Sequence, residues 1–158
     1  VKKNPNKTAA ARMEDPAGNL AVTLLAYNDM GSTADVERLL AETDRAVLGR
    51  AMVLWYQMCV TERGKEAVAK AVDIIGHKVR LRQESWDNTQ DHKEVQRQLL
   101  APSIARLLLI HLSKDDPDRF LELWMTVSKP ETAVQTAAVI LGFSSSVLNP
   151  SVATADCE

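Results

Sequence analysis

Aromatic side chains are scarce: among 158 residues only Tyr27, Trp55, Tyr56, Trp86, Phe120, Trp124 and Phe143 carry one. None falls among the basic residues of 65–82, so that stretch has no platform on which bases could stack. Cysteine is rarer still, with Cys59 in an apolar stretch and Cys157 near a polar end. Two cysteines so placed build no disulfide framework, and their use suits a reducing compartment, so a cytoplasmic location is expected. Neither sign of charge dominates: 19 Lys and Arg face 21 Asp and Glu, a net charge of −2. That balance gives no global pull toward nucleic acid or an anionic membrane surface. No uninterrupted apolar run reaches the roughly 18–20 residues of a membrane span. Arg50 and Gln57 interrupt the best candidate, and no membrane partner is expected.

Signatures of catalysis are missing as well. The chain has no glycine-rich phosphate cradle, no GxSxG elbow and no CxxC pair. His77, His92 and His111 are scattered, without HExxH spacing and without a cysteine at metal-ligand distance. His111 projects beside Ile104, Leu107 and Leu108, where a backbone carbonyl is its ordinary partner. Ser144, Ser145 and Ser146 have no neighbouring base in sequence. No catalytic residue, metal ligand or cofactor is assigned, and a non-enzymatic role is the reading these absences favour.

What is present is helix. No alternating strand pattern occurs, and no Asn-Gly or Asp-Gly hairpin turn. From Ala46 to Val60 apolar residues cover almost the whole helical circumference, leaving Arg50, Gln57 and Thr61 as one narrow polar line. A helix apolar on nearly every side must be enclosed by other helices or by a partner chain. Ile104–Leu112 is similarly apolar and is expected to be a second central helix. Asp15-Pro16, Asp116-Pro117 and Lys129-Pro130 read as helix starts, with proline at the first helical position. Gly31 and Gly64 read as breaks, Thr43-Asp44 as a break or kink, and Pro102 as a kink or restart. Asp91 with Glu94 resembles a capping box, and Gly142 stands where a C-terminal stop is expected. The fold expected is an all-α, compact bundle of six or seven helices with two central apolar helices. Residues 1–14, with Lys2, Lys3, Lys7 and Arg12, read as a flexible basic arm, 15–143 as the helical domain, and 144–158 as a loosely ordered tail.

Three surfaces invite a functional reading. Leu25–Leu40 has the outline of a helix-turn-helix, but Gly31 comes one position late and Asp35, Glu37 and Glu42 outnumber Arg38. A net acidic helix is a poor reader of the major groove. Lys70, His77, Arg80 and Arg82, helped by the basic arm, form the nucleic-acid candidate, with Asp73 set among them. Two acidic groups, Glu84/Asp87/Asp91/Glu94 and Asp115/Asp116/Asp118/Glu122, are read as neutralised ends and as helix N-terminal charge rather than cation sites. The leading expectation is a protein–protein interaction or assembly domain that associates with a second copy of itself. Its interaction residues are expected to be Trp55, Tyr56, Met58, Trp124 and Met125, since aromatics and methionine are enriched in interface cores.

Overall fold

A computed structural model describes residues 15–84 and 92–149, with the backbone alone for His92. Seven helices follow in order: α1 Pro16–Asp29, α2 Thr33–Glu42, α3 Arg45–Arg63, α4 Lys65–Glu84, α5 His92–Ser113, α6 Pro117–Thr126 and α7 Pro130–Leu148. No strand occurs among the described residues, and the chain is an all-α bundle. The basic arm and Asp91 of the capping box lie outside the described residues.

Local chemistry sets most of the boundaries. The Asp15 carboxylate accepts from Ala17 N at 3.1 Å, with Pro16 behind it at the first helical position. Asp44 accepts from Ala46 N at 3.2 Å and Val47 N at 3.4 Å, so α2 and α3 are separate helices. Asp116 does the same for Arg119 N at 3.1 Å. Gly64, at φ 85°, turns the chain between α3 and α4 in a conformation that a side chain would strain. Ser32 occupies the N-cap of α2 without a side-chain cap bond.

Helix α3 is central, as its composition demands: α1, α4, α6 and α7 all pack on it. Trp55 reaches α1 and donates Nε1–H to Ala21 O at 2.9 Å. On the α6 side the contact is reciprocal. Trp124 donates Nε1–H to Arg45 O at 2.8 Å. The Arg45 guanidinium sits 5.0 Å from the Trp124 ring centroid and donates to Val127 O. Gly49 makes the approach possible, because a Cβ there would lie 2.8 Å from Trp124 Cδ1 and 3.0 Å from Leu121 Cδ2.

Helix α7 is central as well, packed against α1, α2, α3 and α5, while the 104–112 segment of α5 buries Ala105, Leu108, Leu109 and Leu112 and leaves Leu107 50% exposed. Ala133, Thr136, Ala137, Ile140, Leu141, Phe143 and Ser144 are buried along α7, and small side chains let neighbouring backbones close around it. By length and composition α7 could also cross a membrane, and here it fills the bundle core. Gly142 does not stop it. The helix runs on to Leu148, where Arg63 donates Nε–H to Val147 O at 3.1 Å and Nη2–H to Leu148 O at 3.4 Å. Ser145 and Asn149 bind the two oxygens of Asp29 at 2.7 and 3.3 Å, so residues 144–149 belong to the bundle rather than to a tail. Pro102 does not break α5 either; the Gln98 carbonyl it deprives of a helical partner belongs to an exposed residue, which water can serve.

This packing assigns opposite signs to two glycine substitutions in helix interiors. Gly142→Ala meets no atom within 4 Å and should raise stability by about 0.5–1 kcal/mol through helix propensity alone. Gly49→Ala gains the same propensity but drives a methyl into a hydrogen-bonded indole, for a net loss of about 1 kcal/mol. Urea unfolding of both variants measures the two signs.

Candidate functional site

The residues expected to meet a partner divide sharply. Trp55 and Trp124 are fully buried, and Tyr56 nearly so. Each aromatic ring is absorbed by the core that its own helix needs, and the two indole N–H groups are already bonded inside the chain. Met58 and Met125 do reach the surface, 36% and 54% exposed. They form no shared patch: Met125 belongs to the helix anchored near Gly49, and Met58 lies about 14 Å further along α3.

An opening of about 740 Å³ lies elsewhere, between α4, α5 and α7. Ala71 and Ile75 of α4, Leu99 and Pro102 of α5, and Val139 and Phe143 of α7 form its walls. Its polar lining side chains, Arg63, Lys78 and Ser146, are all solvent-exposed. Sequence pattern explains the space. Val68 and Val72 turn inward and are buried, while Ala67, Ala71 and Gly142 lack the bulk to fill the gap above them. The cleft runs out to Ile74, which is 54% exposed. A second, smaller apolar groove of about 340 Å³ lies between α5 and α6, beside the exposed Leu100 and Leu107.

The nucleic-acid candidates also separate. Lys70, His77 and Arg80 are exposed on one side of α4. Arg82 is half-buried and lies on a different side of that helix, about 140° from His77 at 100° per residue. Exposed Glu66, Asp73 and Glu84 alternate with the basic side chains, so the strip is mixed in sign. Arg106, which the sequence pattern did not single out, joins Arg80 from α5. Together with Gln83 and Ser103 they line a polar notch of about 250 Å³.

The remaining candidates have structural partners or none that suggests chemistry. Leu25–Leu40 is a helical hairpin whose Val36 and Leu40 are buried, with α2 packed on α7. Asp35 of α2 pairs with Arg38 at 3.2 Å. Asp115 pairs with Lys65 at 2.7 Å, and Glu122 with Arg119 at 2.9 Å. Of the other acidic group, Asp87 and Asp91 lie outside the described residues, and Glu94 binds Arg97 at 2.9 Å. Among the described residues no three His, Cys, Asp or Glu converge on one point. His111 is half-buried in the last turn of α5, where its carbonyl accepts from Asp116 N at 3.1 Å.

Cys59 is a buried free cysteine whose Sγ–H donates to Ser144 O at 3.7 Å. Burial pushes the thiol up to about 11, so at neutral pH it stays protonated and is held as a core side chain. Burial also raises Tyr56, with the charges of Asp115 and Cys59 adding to it.

Comparison with known protein families, with curated proteins and with solved structures finds no match to this chain.

The Cys59 thiol fixes a pH signature. Its folded value lies above the unfolded one, so the protonated thiol favours the folded state. That contribution is complete below pH 9.0 and is lost as pH rises from 9.0 through about 11. Wild-type stability should therefore fall more steeply over that window than the stability of Cys59→Ala. Parallel pH profiles of the two proteins would contradict the assignment.

Proposed function

We propose that this chain is a non-enzymatic protein-interaction domain whose cleft between α4, α5 and α7 receives the apolar side chains of a partner helix. The supporting observation is the cleft itself: about 740 Å³, walled by apolar side chains of three helices and open to solvent, with its polar side chains exposed. That volume lies within the roughly 300–1,000 Å³ of ligand-binding clefts. Most of its lining side chains are apolar, so its selectivity is for shape and apolar surface.

A groove bounded by three helices suits helix-in-groove recognition, in which a partner lays residues spaced i, i+3/i+4 and i+7 along the apolar floor. Lys78 and Arg63 at the rim favour a partner helix with carboxylates beside its apolar stripe. Ile74 extends the apolar surface past the edge of the cleft.

A displayed library of amphipathic helices tests this reading. Selection should recover sequences with a continuous apolar stripe flanked by Asp or Glu. Their affinity should drop at least about tenfold, or about 1.4 kcal/mol, when Ala71→Trp fills the floor. Binders indifferent to Ala71→Trp would overturn the proposal.

A further inference from the structure

The outer face of α4 has a second feature, distinct from the cleft and sharing only Ile74 with it. Ile74 and Leu81 are seven residues apart, so they stand one above the other on the same side of the helix. They are 54% and 50% exposed, an apolar line left open among the described residues. Beside it, Glu66, Lys70, Asp73, His77, Arg80 and Glu84 follow one another at alternating steps of four and three, and all six are exposed. Among the described residues Lys70, Asp73, Arg80 and Glu84 form no ion pair.

The order of charge along this flank is self-complementary about its middle. Lys70 lies seven residues before His77 and Glu84 seven after it. Asp73 lies four before and Arg80 three after. In an antiparallel pair of helices, like flanks face each other, and positions equidistant from the two-fold axis meet. An axis near His77 sets Ile74 against the second copy's Leu81, Lys70 against its Glu84 and Asp73 against its Arg80, each contact occurring twice. Arg106, across the polar notch from Arg80, adds positive charge where the incoming Asp73 carboxylate would lie. A nucleic-acid strand would find the same flank interrupted by three carboxylates.

We infer that this chain self-associates through an antiparallel α4-to-α4 seam, with a second copy of itself as the occupant of the Ile74–Leu81 line. The contact is isologous, the arrangement that closes a dimer and leaves no open edge. A seam of one helix per subunit is smaller than the roughly 1,200–2,000 Å² of a stable interface, so the dimer is weak and concentration-dependent.

Sedimentation equilibrium at low ionic strength, where exposed charges are least screened, reads the seam. The wild-type average mass should rise with concentration. Lys70→Glu alone and Glu84→Lys alone each place like charges opposite one another twice, and each should weaken association about tenfold. An equimolar mixture of these two variants should recover wild-type association, because the heterodimer pairs Glu with Lys at both ends. Under a mild added oxidant that accepts the two electrons, His77→Cys in a Cys157→Ser background should form an intermolecular disulfide, since residue 77 meets its own copy at the axis. Circular dichroism checks that every variant remains folded.

A wild type that stays monomeric at all concentrations overturns the inference. So does a mixture no tighter than its components. A nucleic acid on the same flank would give another pattern: Lys70→Glu weakens binding, Glu84→Lys strengthens it, and mixing rescues nothing. That pattern also overturns the seam. Helix binding in the cleft, sensitive to Ala71→Trp, is read separately, so the two proposals fail independently.

Discussion

Helix α3 cannot be exposed. Leu48, Met52, Trp55, Tyr56 and Cys59 are buried along it, and the helices on its several sides are there to exclude water from them. The two tryptophans make this enclosure specific rather than merely greasy. Each buries a large ring and spends its one donor on a backbone carbonyl of another helix, Ala21 for Trp55 and Arg45 for Trp124. Either N–H left unpaired inside the bundle would cost about 1–3 kcal/mol, so the indoles fix how α1 and α6 sit against α3.

That same enclosure decides what remains for function. Aromatic rings used to seal the core cannot also present a surface, which is why the expected Trp and Tyr contacts are internal. Helices α4 and α5 enclose from one side only, so their outer faces keep apolar residues in water. The space between them and α7 stays open because Ala67, Ala71 and Gly142 are too small to fill it. The cleft and the exposed Ile74–Leu81 line are thus two consequences of one packing arrangement.

The sequence made α3 legible because its apolar residues exceed what any single face could use. Helix starts were legible wherever a side-chain oxygen could meet an unpaired N–H, as at Asp15, Asp44 and Asp116. The centrality of α7 was not, because Ala133, Thr136, Ala137 and Ser144 carry little hydrophobic signal and work by letting backbones approach. Gly142 reads as a stop on local rules alone. Its helix continues because Arg63 and Asp29, distant in sequence, secure the final turn and the residues just beyond it. The cleft was invisible for a similar reason: a cavity is a property of three helices, and no one of them encodes it. On α4 the charges and the Ile74–Leu81 spacing could be read directly, whereas the place of Arg106 beside Arg80 required the fold.

Amide hydrogen exchange tests the central claim most directly. If the apolar faces of α3 are sheathed by the other helices, amides from Ala51 to Cys59 exchange only through global unfolding, along with the buried stretch of α7. Their opening free energies should equal the stability from denaturant unfolding, while the outer residues of α4 exchange through smaller, local openings. Exchange of the α3 amides at the rate of the α4 surface, with the rest of the bundle still protected, would contradict the account.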